Sequence, residues 1–99
     1  MLEIVNNAAD KRWEARLDGE AAGYAEYRGN AKRVVFTHTV VEPQFEGRGI
    51  GSGLAKAALD AAVAAGQRIV PSCPFISAYL RRHHEFDAHV DWPRGAAEE

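Results

Sequence analysis

The stretch Val40-Val41-Glu42-Pro43-Gln44-Phe45-Glu46-Gly47-Arg48-Gly49-Ile50-Gly51-Ser52-Gly53-Leu54 decides the fold of this chain. Before it, Val34 to Val41 is dense in Val, Thr and Phe and is the most β-prone segment of the sequence. After it, Leu54, Ala58, Ala61 and Ala65 recur at helical spacing, and Gly66 sits where a C-terminal cap belongs. The glycines therefore join a strand to a helix. A helix N-terminus presents unpaired backbone N–H groups and the positive end of the helix dipole, which together form an anion site. Glycines let the backbone come close to a bulky phosphate, and Arg48 supplies a charge-assisted contact. A glycine-rich turn with a purely structural role is the plainer reading, but four glycines at alternate positions on one junction argue against it. A Walker A loop needs Lys and Ser/Thr after its last glycine, whereas Leu54-Ala55 follow Gly53. The G-x-G-x-x-G spacing fails as well, its third glycine falling at Ser52 or Leu54. Nucleotide hydrolysis and nicotinamide binding are disfavoured on both counts.

Working towards the N-terminus, the chain reads as strands. Leu2-Glu3-Ile4-Val5 alternates, Asn6 to Asp10 supplies turn chemistry, and Arg12 to Leu17 alternates again with Trp13, Ala15 and Leu17 on one face. Asp18-Gly19 is a tight hairpin signal, because a I′ turn needs positive φ at both central residues. Ala22 to Tyr27 makes a third strand and Arg28-Gly29-Asn30 the next turn. Val34 to Val41 is apolar on both parities, the pattern of a central strand covered on both faces. Towards the C-terminus, Arg68-Ile69-Val70-Pro71 reads as a short strand parallel to the one before the helix. Pro74 opens a second helix through Ile76, Tyr79 and Leu80 to about His84. The order is β-β-β-β-α-β-α, an α+β mixed sheet with antiparallel N-terminal strands and a parallel C-terminal pair.

With 99 residues, 46% of them hydrophobic and 26% charged, the chain is sized and composed for one globular domain, expected over residues 1–94 with a frayed tail at 95–99. No apolar run nears the ~20 residues of a membrane-spanning helix, and Met1-Leu2-Glu3-Ile4 lacks the basic-then-apolar pattern of a secretory signal. The single cysteine, Cys73, forms no internal disulfide, which fits a reducing cytoplasm. A formal charge of −2 is not the footprint of a nucleic-acid binder.

Gln44-x-x-Gly47-x-Gly49 resembles the Q/R-x-x-G-x-G/A motif of the GNAT N-acetyltransferase superfamily, and it lies where that motif belongs, between the fourth strand and the following helix. A closer resemblance is to a minimal branch, the YjdJ-like short acetyltransferases. Its anchors are Phe36-Thr37-His38-Thr39, the glycine loop, Pro71-Ser72-Cys73-Pro74-Phe75 and Tyr79-Leu80-Arg81-Arg82-His83. The resemblance implies an acetyl-CoA donor. Its pyrophosphate would be held by Glu46, Gly47, Arg48, Gly49, Ile50, Gly51 and Ser52, and its pantetheine arm would pair along Val40 and Val41. Larger members place two helices between the first two strands and build much of the acceptor pocket from them; only the Asn6 to Asp10 turn stands there in this sequence. The acceptor, a small amine or a protein amine, is therefore left open, as is the oligomeric state.

The same resemblance assigns His38 and Cys73 to the active site. A histidine on a strand face shared with Val34, Phe36 and Val40 is otherwise a packed core residue, and a free cysteine is often a small buried hydrophobe. Together, on neighbouring parallel strands, both can face one cleft at the strands' carboxyl ends, and a helix N-terminus after Cys73 favours a thiolate. Tyr79 lies roughly where many members carry a tyrosine that protonates the leaving CoA thiolate; packing on the sheet is its alternative. Arg81-Arg82-His83-His84 reads either as a solvated face complementing the helix dipole or as a contact to a CoA phosphate. Cys73, His83 and His84 lack zinc spacing, so no metal is expected. Two functions remain: an acetyl-CoA-dependent N-acetyltransferase, with His38 as base and Cys73 as nucleophile or shaping residue, and a non-catalytic CoA- or acyl-CoA-binding module.

Overall fold

The computed structural model describes residues 1–93; the expected tail at 95–99 lies outside the described residues. Five strands form one sheet in the order β1 (Leu2–Asn7), β2 (Arg12–Leu17), β3 (Glu20–Gly29), β4 (Arg33–Val41) and β5 (Arg68–Pro71). The first four pair antiparallel and β4 pairs parallel with β5. Local chemistry sets each turn. Asp18 and Gly19 both take positive φ, 51° and 86°, as their tight hairpin requires. The Asn7 side chain accepts a hydrogen bond from the Asp10 amide at 3.2 Å. Asn30 Oδ1 caps the β3–β4 turn by accepting from the amides of Lys32 and Arg33 at 2.8 and 3.1 Å.

Helix α1 (Ile50–Ala64) connects β4 to β5, and α2 (Pro74–Arg82) follows β5 beside α1. Both cover the same face of the sheet. Phe36, Leu54, Leu59, Ile69, Ile76 and Leu80 are fully buried between these layers, each contributing roughly 1.5–3 kcal/mol of burial. The other face carries no helix among the described residues and leaves Val5 and Val40 48% and 37% exposed. So β4 is covered on one face only, not on two. No helix among the described residues is long and apolar enough to cross a membrane.

Helix α1 starts at Ile50, one turn earlier than its apolar spacing predicts. Gly49 is the N-cap at φ 77°, and buried Ile50 locks the first turn against the core with Phe45. Gly51 and Gly53 are therefore helical residues rather than loop residues. They are small because of what they touch: a Cβ on Gly51 would stand 2.5 Å from the Phe75 ring, and one on Gly53 would stand 3.0 Å from Ile4. At the other end Gly66, at φ 72°, follows the C-cap, and the Gln67 amide reaches the Ala62 carbonyl at 3.0 Å. Helix α2 ends at Arg82, short of His84, and a 3-10 turn over His84–His89 returns the chain so that Val90 lies beside Ile69. Arg68 fastens this return, donating to Asp91 at 2.6 and 3.1 Å and to the Ala88 carbonyl at 2.7 Å.

Candidate functional site

The sheet opens where β4 and β5 part. They pair from Arg33 and Arg68 to Phe36 and Pro71, and the Ser72 amide donates the last link to the Phe36 carbonyl at 3.0 Å. Beyond it the chain leaves β5: Pro71 has no N–H for a ladder bond, and Pro74 begins α2. Strand β4 continues to Val41 paired with β3 alone, so its far edge has no strand partner among the described residues.

At the end of that edge the Pro43–Phe45 turn is pinned by buried Phe45, whose amide donates to the Glu42 carbonyl at 2.9 Å. Gly47 and Gly49 at φ 80° and 77° then turn the chain into α1. Its N-terminus has no side-chain cap and no acidic residue in the first turn. The first helical bond runs from the Gly53 amide to the Gly49 carbonyl, leaving the amides of Ile50, Gly51 and Ser52 without intrahelical acceptors. They border a cleft of about 470 Å³. Of the expected cofactor residues, Val41, Glu46, Gly47, Gly49, Ile50, Gly51 and Ser52 line it, joined by Thr39, Phe45 and Phe75, whose place in the wall no sequence motif marks. Two expected residues stand elsewhere. Arg48 is exposed on the solvent side of the loop, where its charge assists the N-terminal ammonium in holding the Asp18 carboxyl below the usual range. Val40 points to the helix-free face, into a second hollow of about 280 Å³ shared with Arg12, Tyr24 and Glu42.

Cys73 is 3% exposed and is the N-cap residue of α2. Its thiol donates to the Thr39 hydroxyl at 3.3 Å. Since Thr39 lines the cleft, the sulfur sits one side chain behind its wall, next to Phe75.

His38 is not on the face expected for it. The β3–β4 register slips by one residue, with Glu26 opposite His38 but Tyr27 opposite Phe36. Thr37 is the extra residue, and such a bulge reverses side-chain parity beyond it. Val34 and Phe36 face the helices, Thr39 and Val41 face the cleft, and His38 and Val40 emerge on the helix-free face. The His38 side chain is 71% exposed, with Nδ1 3.2 Å from Glu26 Oε1. His38 and Cys73 thus flank the β4–β5 gap from opposite faces of the sheet.

A model of the GCN5-related N-acetyl-transferase family matches residues 12–90. The chain belongs to the GCN5-related N-acetyltransferase family. Its fold is also similar to the crystal structure of Ard1 from Thermoplasma volcanium, with a TM-score of 0.52 and 17% identity over 62% of this chain and 44% of that one. The chain thus spans less than half the length of that protein, and the likeness is one of fold. No curated protein matches the sequence.

The tyrosine expected near a leaving thiolate by GCN5-related analogy is occupied differently. Tyr79 is 4% exposed, stacks on His83 at 3.9 Å and packs near Phe86. Burial foremost, with Glu85 behind it, raises its hydroxyl above the ordinary tyrosine value. It is a core residue between α2, α1 and the 3-10 turn. Arg81 lies over the Trp92 ring at 5.1 Å, while Arg82 is exposed at the helix C-terminus.

Proposed function

We propose that this chain transfers an acetyl group from acetyl-CoA to an amine acceptor. The observation that carries the reading is the uncapped N-terminus of α1, whose unpaired amides at Ile50, Gly51 and Ser52 border the same cleft as Thr39 and Val41 on the free edge of β4. Amides at a helix N-terminus bind a pyrophosphate. A free strand edge hydrogen-bonds an extended, amide-bearing arm. CoA has both groups in one molecule, and the arm's direction along β4 leads its thioester to the gap between β4 and β5.

His38 acts as base towards an acceptor approaching from the helix-free face, while the donor enters from the cleft face. Donor and acceptor then meet across the gap without competing for one entrance, which holds them for attack. The amine lone pair attacks the thioester carbonyl, the C–N bond forms, the C–S bond breaks, and the sulfur leaves with the electron pair. Cys73, behind Thr39, shapes the donor side. The lone buried thiol suits a reducing cytoplasm.

Calorimetry with CoA, ATP and NAD, followed by CoA release from acetyl-CoA with a polyamine, a small amine metabolite and a lysine peptide, tests this reading. CoA should bind, less tightly as salt rises. ATP and NAD should bind far more weakly, because neither has an arm to pair with β4. Acceptor-dependent release should disappear in His38→Ala. Absence of CoA binding would overturn the reading, and tight binding with no acceptor-dependent release would replace it with a non-catalytic CoA-binding module.

A further inference from the structure

One carboxylate on the helix-free face has a placement that its strand alone does not require. Glu26 stands on β3 directly opposite His38. Thr37 and His38 are consecutive and would point to opposite faces of a regular strand; the bulge brings both over Glu26. The Thr37 hydroxyl is 2.8 Å from Glu26 Oε1, and His38 Nδ1 is 3.2 Å from the same oxygen. We propose that Glu26 is the positioning residue that fixes the orientation and tautomer of His38, leaving Nε2 as the nitrogen that receives the acceptor's proton. The proposal rests on the reading of His38 as the base.

An ionised carboxylate only accepts hydrogen bonds, so Nδ1 must carry the ring proton and the lone pair must lie on Nε2. This is the reverse of the tautomer that a free histidine side chain prefers in water. Glu26 is ionised at neutral pH: the hydrogen bond from Thr37 foremost, then that with His38 and the charge of Arg28, hold its carboxyl below the usual range. The other charged groups facing this pair are Arg28, whose guanidinium is 4.0 Å from Glu26 Oε1, and Arg12, opposite Glu26 on β2 but engaged by Glu14 at 2.7 Å. Thr37 anchors the carboxylate so that it cannot swing wholly towards Arg28. When the amine attacks, its proton passes to Nε2. The imidazolium keeps its Nδ1–H on Glu26, whose charge offsets the new positive one, until the proton goes to the departing thiolate as free thiol forms.

The tautomer is read directly from long-range ¹H–¹⁵N spectra of the labelled full chain, with the His38 ring assigned by its disappearance in His38→Gln. The wild type should show Nδ1–H, and Glu26→Ala should switch the ring to Nε2–H. In acetyl-CoA kinetics Glu26→Ala should lose about ten-fold in kcat, with KM for acetyl-CoA unchanged within about two-fold. Glu26→Gln, whose amide oxygen still accepts from Nδ1–H, should keep the tautomer and more of the rate. An Nε2–H ring in the wild type overturns the proposal whether or not any variant folds, as does a Glu26→Ala protein with unchanged tautomer and kcat. Full turnover in His38→Gln would overturn the base assignment instead, and the ring-nitrogen spectra would still report whether Glu26 orients His38.

Discussion

Gly51→Ala tests whether the cleft wall is as tightly built as the geometry indicates. Gly51 is buried in the first turn of α1, and an added Cβ would stand 2.5 Å from Phe75 Cζ, 3.0 Å from Cε2 and 3.1 Å from Cε1. All three are closer than ordinary contact, so the ring must move. Overpacking of this kind costs about 1–3 kcal/mol. Replacing a helical glycine by alanine returns about 0.5–1 kcal/mol, leaving a net loss of about 1 kcal/mol. For a domain of this size that lowers Tm by about 4–8 °C. Phe75 is only half-buried and lines the cleft, so its ring can instead escape into the space assigned to CoA. Stability then recovers and CoA affinity falls. Thermal melts and CoA titrations of the wild type, Gly51→Ala, Phe75→Ala and the double variant separate these responses. In the double variant the clash is gone while the helix-propensity gain remains, so the two substitutions should couple favourably by the overpacking term, about 1–3 kcal/mol. A Gly51→Ala protein that melts at or above the wild type, binds CoA equally well and shows no coupling would refute the packing argument.

Three further outcomes are expected. Cys73→Ala should lower acetyl transfer about ten-fold, equivalent to about 1.4 kcal/mol, with little change in CoA affinity. Intact-protein mass spectrometry after acetyl-CoA exposure then reports whether Cys73 carries the acetyl group, and full activity would remove it from the mechanism. Gly49→Val should weaken CoA binding and also cost about 1–2 kcal/mol of stability, because a β-branched residue is strained at φ 77° even though nothing lies within 4 Å of its Cβ; Gly49→Asn, which tolerates that conformation, should keep the fold, and a Gly49→Val protein of wild-type stability would contradict the strain. Glu14, Asp18, Glu26 and Asp91 are all held below the usual carboxylate range, by hydrogen bonds foremost from Arg12, the N-terminal ammonium, Thr37 and Arg68. Their contribution to stability is therefore complete above the unfolded values of ~4 and is lost as pH falls through the lower folded values. Melts from neutral to acid should stay level and then drop, less steeply in Arg68→Ala and in high salt, and an identical acid slope in Arg68→Ala would count against the Asp91 pairing.

Much of the fold was legible because its signals are local. Asp18-Gly19 forces a tight turn wherever it falls, Pro71 and Pro74 end a strand and open a helix, and Gly66 closes α1 by its own backbone freedom. The glycine loop was recognisable for the same reason, since positive φ at Gly47 and Gly49 and an uncapped helix start are properties of the residues themselves. The start of α1 was not. Gly51 and Gly53 read as loop until Phe75 and Ile4 are seen against them, and those contacts come from distant parts of the chain.

The side of the sheet on which each functional group stands was decided only by tertiary structure. A strand's parity can be counted from sequence only while its register is unbroken. The slip between Glu26 and Tyr27 inserts Thr37 without leaving a glycine or proline in β4 to announce it. That one residue moves His38 to the helix-free face, puts Thr39 between Cys73 and the cleft, and sets Glu26 beneath the imidazole. Tyr79 follows the same rule: helical spacing placed it on α2, but packing against α1 and the 3-10 turn chose the core over the cleft. The sequence by itself determined which elements form and where an anion can bind, because backbone conformation and hydrogen-bonding capacity are intrinsic to short stretches. Which face each reactive side chain presents depends on a pairing slip between two strands, and a slip is a property of the pair.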